Sequence, residues 1–294
     1  MLSGQTNEAI WWRDTTGFKD VEVWAGVPIV IGINQRGPID CPTLDVHITS
    51  EARLKEDVTG YATKYVISLF RLGDDLGLFY REFSSDPIAV SFATLRGLRP
   101  MKATNLFESL ICSICSQNTS VERWNSMVRF LKRRWGCKFK VGCGEFYSFP
   151  EPHVLAKAEK GELIIGGLGY RADYIREASL AVESSRIDLE ALRGVDYSKA
   201  YHRLLGLRGV GPKVANCFCL YGLGFTMAAP VDRWVERAVA ELYFNGCTPG
   251  RSVVCEFIRR RFGDWAGYAQ LYLFHHWRSK RGMNYADCGS SFSS

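Results

Sequence analysis

The stretch Leu204-Leu205-Gly206-Leu207-Arg208-Gly209-Val210-Gly211-Pro212-Lys213-Val214-Ala215 decides the reading of this 294-residue chain. One helical pattern ends near Leu205, and a second begins at Pro212. Proline suits the first turn of a helix, where its missing N–H costs nothing. Gly209 and Gly211 allow a tight turn, and Val210 plugs the space between the two helices. The turn then presents backbone N–H groups beside a helix N-terminus, an anion site suited to a DNA phosphate. Contacts of that kind grip any base sequence. On the glycines alone, an ordinary αα-turn would read the same way. A Walker-type phosphate loop is excluded, because Val214 and not Ser or Thr follows Lys213.

Outward from the hairpin the period is helical. Helices are predicted at Asn105–Gln117, Ser120–Trp135, Tyr170–Val182, Ser198–Leu205, Pro212–Tyr221, Arg233–Tyr243, Arg251–Arg261 and Trp265–Ser279. A further short helix follows the break at Pro150 and Pro152. Earlier stretches at Tyr61–Leu72, Asp75–Phe83 and Pro87–Leu95 carry apolar residues at the same spacing. The first fifty residues differ. Val21–Trp24, Val27–Ile33 and Thr43–Thr49 are rich in β-branched residues and punctuated by Gly26, Gly32, Gly37 and Pro38, which predicts a small antiparallel sheet. The expected class is α+β, mainly α: a small N-terminal antiparallel sheet, then helical domains with a helix-hairpin-helix motif. Residues 1–97 are expected to hold the sheet with its following helices. Residues 98–294 are expected to form the helical catalytic region, with the helix-hairpin-helix at 196–225. The Ser-rich tail Asp287–Ser294 reads as frayed.

Composition narrows the function classes. Hydrophobic residues at 47% and charged residues at 23% are ordinary globular values, against wholesale disorder. The longest apolar run, Trp24 to Ile33, is interrupted by Pro28, whereas a membrane span needs roughly twenty residues. The start MLSGQTNEAI has no basic residues ahead of an apolar stretch, so no secretory signal is expected. Lys and Arg number 37 against 31 Asp and Glu; the resulting +6 fits a phosphate-bearing partner without demanding one. Among ten cysteines, Cys112 and Cys115 form a C-x-x-C within a buried-looking helix and lack a second pair. Cys217 and Cys219 are too close for a standard metal pair, and Cys247 and Cys255 have no following close pair. No metal site and no iron–sulfur cluster is therefore expected, and the thiols read as small buried hydrophobes of a reducing compartment.

Downstream of the hairpin stands Pro230-Val231-Asp232. Hairpin, Lys213 and Asp232 together resemble the helix-hairpin-helix, Gly/Pro-rich, Asp superfamily of DNA glycosylases. Within it the chain most resembles the 8-oxoguanine DNA glycosylase/lyases, from about Asn105 to His275 and more loosely into the N-terminal sheet. The chemistry agrees with the pair. Cutting a glycosidic bond builds positive charge on the sugar, and a carboxylate beside it stabilises that charge. A neutral lysine amine can attack the sugar C1′, expel the base and leave a Schiff base, after which β-elimination nicks the strand. Lys213 sits where the positive end of a helix dipole disfavours an ammonium. Without the resemblance, Asp232 reads equally as a helix N-cap and Lys213 as a solvated phosphate contact. A relative using water as nucleophile would not need this lysine.

The resemblance implies further roles. Residues matching Cys217 and Phe274 sandwich a flipped base, and the one matching Gln270 pairs with its edge. Cys217 stands four residues after Lys213, and Phe274 four after Gln270, so each pair shares a helix face. Gly4, in Ser3-Gly4-Gln5, matches the residue whose carbonyl accepts the N7 hydrogen that 8-oxoguanine has and guanine lacks. Asn118 and Arg123 match residues that fill the gap left by the base and hold the opposite cytosine. In Leu168-Gly169-Tyr170-Arg171-Ala172, Tyr170 matches a wedge in the stack and Arg171 a reader of the orphan cytosine. Two positions depart from the pattern: Asn216 replaces an Asp, and Trp234 a frequent His. The resemblance implies removal of 8-oxoguanine opposite cytosine from double-stranded DNA by a monomer that works inside the cell, with the DNA. It implies no cofactor, although a structural cation at the hairpin is compatible with it. A glycosylase for alkylated purines would keep the fold and Asp232 but not require Lys213. A non-catalytic DNA-binding module would explain Gly209, Gly211 and the charge, but not Lys213, Asp232, Gln270 and Phe274.

Overall fold

A computed structural model of the chain describes residues 17–38, 41–54, 57–142 and 144–280. Gly4 and the tail from Asp287 lie outside them. The chain divides into two compact units, with the boundary falling inside the helix Leu106–Cys115. Among the described residues, one unit comprises Gly73–Ser109 and the chain from Glu190 onward; the other comprises the chain from Gly17 to Leu72 with Leu110–Leu189.

The second of these begins with the expected sheet: β1 (Gly17–Trp24), β2 (Val27–Arg36) and β3 (Thr43–Thr49), antiparallel in that order. Trp24 pairs with Val27 across Ala25 and Gly26, whose φ values are 50° and 79°. Positive φ at both turn positions matches the right-handed twist of the flanking strands. Ile29, Ile31 and Ile33 alternate onto the buried face of β2, where Phe18 joins them. The helix Val58–Leu69 is tied to β1 by its tyrosines: Tyr65 donates to Asp20 at 2.6 Å and Tyr61 to Glu22 at 3.3 Å. A second hairpin, β4 (Lys138–Val141) and β5 (Gly144–Tyr147), buries Val141 and Phe146 with Val30. The sequence reading did not anticipate it. The helices Val121–Trp135, Pro152–Lys157, Lys160–Ile165 and Arg171–Glu183 complete this unit.

The other unit is helical. Its core gathers Phe79, Phe83, Ile88, Val231, Val235, Val239, Ile258, Tyr268, Leu271 and Tyr272, with Trp234 and Phe274 partly buried against it. The segment from Pro87 is 3-10 as far as Ser91 and α-helical only over Phe92–Leu95. The second hairpin helix also departs from expectation. It is α-helical over Pro212–Cys217 and continues as a π-helix over Phe218–Leu223, which Gly224 ends at φ 86°. Single π-turns of this kind are rare and concentrate at functional sites. Thus the class is α+β and mainly α, as the sequence implies.

Candidate active site

The hairpin lies between the helices Tyr197–Leu205 and Pro212–Cys217. The Val210 N–H donates to the Leu207 carbonyl at 3.0 Å, closing a four-residue turn with Gly209 third, at φ 82°. A residue with a Cβ is strained there, which is why glycine occupies that position. Gly211 serves differently. Its φ is −87°, open to any residue, and nothing would lie within 4 Å of an added Cβ. The missing side chain leaves the mouth of the turn uncovered. Val210 is buried.

Lys213 is the second residue of its helix and half-buried; Cys217, one turn on, is buried. Asp232 caps the helix Arg233–Tyr243. Its Oδ1 accepts from the N–H groups of Trp234 at 2.9 Å and Val235 at 3.0 Å. Both caps fall on one oxygen, so the same carboxylate can anchor its helix and present its other oxygen to a cation. Trp234 stacks under Arg237, with 5.8 Å from guanidinium to ring centroid.

Gln270 and Phe274 share one face of the helix Ala266–Lys280. Gln270 is 5% exposed, yet its Oε1 finds no donor among the described residues. An unpaired buried amide oxygen is costly, on the order of 1–3 kcal/mol, and calls for an explanation. Phe274 lies edge-on to His275 at 5.2 Å, with the Arg278 guanidinium 5.3 Å from its centroid. Burial, reinforced by the Arg278 charge, pushes the His275 imidazole down to about 3. Gly267 lets this helix approach the segment ahead of Asp232. Its N–H donates to the Thr226 carbonyl at 2.7 Å, and an added Cβ would fall 2.5 Å from Leu220 and 3.0 Å from the Ala228 carbonyl. The sequence reading missed Gly267, although a glycine inside a helical pattern is the usual mark of such an approach.

Lys213, Cys217, Asp232, Gln270, Phe274 and the hairpin thus belong to one unit. Asn118, Arg123, Tyr170 and Arg171 belong to the other. There Asn118 follows the helix Leu106–Cys115 in a left-handed conformation, φ 42°, and its Nδ2 donates to the Tyr170 hydroxyl at 3.4 Å. Asparagine tolerates that backbone better than most residues. Arg123 is exposed in the first turn of Val121–Trp135, behind the Ser120 cap. Tyr170 is half-exposed, and the Arg171 guanidinium sits 4.6 Å from its centroid. Arg171 itself is buried. It donates to the carbonyls of Leu168, Gln117 and Asn118, and so holds the turn that carries Asn118. Among the described residues no group of three or more His, Cys, Asp or Glu could hold a metal ion, and no helix is long and apolar enough to cross a membrane.

Comparison with known proteins gives this arrangement a family. Residues 111–262 match the model for HhH-GPD superfamily base excision DNA repair proteins. A probable N-glycosylase/DNA lyase of Methanothermobacter thermautotrophicus is 35% identical, over 94% of this chain and 91% of its own. The N-glycosylase/DNA lyase OGG1 of Arabidopsis thaliana is 29% identical, over 93% and 75% respectively. The fold matches that of the Clostridium acetobutylicum 8-oxoguanine glycosylase/lyase, solved with dsDNA containing cytosine opposite 8-oxoG: TM-score 0.79, 23% identity, 95% of this chain and 91% of that one. The chain belongs to the HhH-GPD superfamily of base excision DNA repair proteins.

Proposed function

We propose that this chain is a bifunctional N-glycosylase/DNA lyase that removes 8-oxoguanine, opposite cytosine, from duplex DNA, acting as a monomer. The single observation that carries the substrate reading is the buried Gln270 Oε1, which has no donor among the described residues. The Watson–Crick edge of a guanine offers two adjacent donors, N1–H and N2–H, whereas that of adenine offers only its N6 amino group beside the N1 acceptor. An amide oxygen therefore suits an oxidised guanine better than an alkylated adenine. Cys217 and Phe274 would hold the two faces of the base, as stacking on flat apolar groups allows. The names and folds of the relatives support the same reading.

The chemistry follows from Lys213 and Asp232. The Lys213 amine attacks C1′ as the bond from C1′ to N9 breaks, and the departing base takes the proton that the nitrogen gives up. Asp232 stabilises the positive charge that develops on the sugar. Ring opening gives a protonated Schiff base between Nζ and C1′. Loss of a C2′ proton then expels the 3′ phosphate and nicks the strand, and water returns the free lysine. The hairpin Gly209-Val210-Gly211 would grip a backbone phosphate without reading sequence, through backbone N–H groups other than that of Val210, which closes the turn. Asn118 and Tyr170 would enter the gap, and Arg123 would reach the orphan cytosine. Arg171 would join it by exchanging one of its carbonyl partners for the base edge.

Borohydride trapping on a duplex with one 8-oxoguanine opposite cytosine tests the reading. A covalent protein–DNA band that vanishes in Lys213→Gln is the expected result. Base release without a band would mean a water nucleophile. Neither band nor release would sink the 8-oxoguanine assignment.

A further inference from the structure

Asn216 is a buried polar side chain that the chemistry above leaves unused. It lies one turn along the Lys213 helix and is 2% exposed. Both ends of its amide are engaged. Nδ2 donates to the Pro212 carbonyl at 2.9 Å and lies 4.0 Å from Cys255 Sγ. Oδ1 accepts from the Tyr197 hydroxyl at 2.9 Å and from the Ala229 N–H at 3.2 Å. The Cys255 thiol completes the Ala229 peptide by donating to its carbonyl at 3.4 Å.

These partners have functional addresses. Pro212 precedes Lys213 and opens its helix. Ala229 lies three residues before Asp232, in a segment where Ala228, Ala229 and Val231 are all buried. Tyr197 opens the first helix of the hairpin, and the Arg259 guanidinium packs 4.5 Å from its ring centroid. One amide therefore joins both hairpin helices to the segment that delivers the carboxylate. We propose that Asn216 is a positioning residue, which sets the Lys213 amine against Asp232 through its bonds at Pro212 and Ala229. The inference rests on the lyase reading given above.

In this chain Asn216 accepts from two donors and donates to a carbonyl within one buried group, where the resembled family carries Asp. Leucine would keep nearly the same volume and lose all three bonds. Shifts of about 1 Å in reacting groups cost on the order of a hundredfold in rate.

The test is Asn216→Leu, compared with the unmodified chain by two measurements. Single-turnover base release at saturating enzyme reads positioning. Fluorescence anisotropy on a duplex bearing a tetrahydrofuran abasic analogue reads binding. The expected result is a rate lower by about tenfold to a hundredfold, with Kd within about twofold because no DNA contact is touched. A side chain that only fills space would lower the thermal midpoint and leave the saturated rate unchanged, and that outcome overturns the proposal. If Asn216→Leu does not fold, Tyr197→Phe replaces it, removing one donor to Oδ1 while Asn216 stays. A rate about threefold lower at unchanged Kd supports the proposal, and an unchanged rate sinks it. No base release by the unmodified chain would instead overturn the lyase reading, and this inference with it.

Discussion

Gln270 separates stability from function at the level of one side chain. Its Oε1 is buried and has no donor among the described residues, which costs stability in the absence of DNA. Gln270→Leu removes that oxygen at similar size. The variant should unfold at the same temperature or higher, by as much as about 1 kcal/mol, because no unpaired acceptor remains. Base release should slow by tenfold or more, roughly the cost of removing a hydrogen bond that selects a substrate. Thermal melts and single-turnover excision on the same samples check both halves. A less stable variant with unchanged excision would mean that Gln270 is ordinary core. Gln270 was legible in sequence only as a match in register with Phe274, since nothing in the letters says that its oxygen lacks a partner. Lys213 and Asp232 were more legible, because each is fixed by a helix start, one behind Pro212 and the other as a cap. Arg171 was the least legible. The resemblance gives it a role at the orphan cytosine, and its bonds to the carbonyls of Gln117 and Asn118 carry no sequence signal.

At the scale of elements, two glycine-related positions make opposite predictions. Gly267 sits where an added Cβ would press on Leu220 and on the carbonyls of Thr226 and Ala228. Gly267→Ala should destabilise the chain by about 1–3 kcal/mol, as overpacking does. It should also slow excision, because the helix carrying Gln270 and Phe274 is pushed from the segment ahead of Asp232. Ala25 is the reverse case: a residue with a Cβ held at φ 50° in the turn between β1 and β2. Ala25→Asn gives the Asn-Gly pair that such turns favour, and should stabilise by roughly 0.5–1 kcal/mol without touching excision. Urea titrations settle both. The sheet and most helices were legible because their periods of 2 and 3.6 are strong. The hairpin β4–β5 was missed because each strand has four residues, too few to separate alternation from chance. The π-helix Phe218–Leu223 had no readable signal either: its apolar run continues the α pattern, and only the hydrogen-bond register differs.

For the molecule as a whole, acid should be more damaging than the carboxylates alone predict, and His275 is the reason. Its imidazole is pushed down to about 3, first by burial and then by the Arg278 charge. Unfolding restores an ordinary pKa near 6.5. Between those values the unfolded chain binds a proton that the folded chain refuses, so stability rises with pH throughout the window. The contribution is complete above about pH 6.5 and is lost progressively as pH falls toward 3. Each unit of pH costs about 1.4 kcal/mol, so a chain moved from pH 7 to pH 4.5 should lose roughly 2–3 kcal/mol through this group. His275→Gln cannot titrate and should flatten the curve by that amount, whatever the replacement does to stability at pH 7. Urea unfolding of both chains at pH 7.5, 6, 5 and 4.5 isolates the effect, because every other titrating group is shared. Parallel curves would show that the imidazole finds room for its proton in the folded chain. Phe274 and Arg278, the neighbours of the ring, would then be the side chains that yield on protonation.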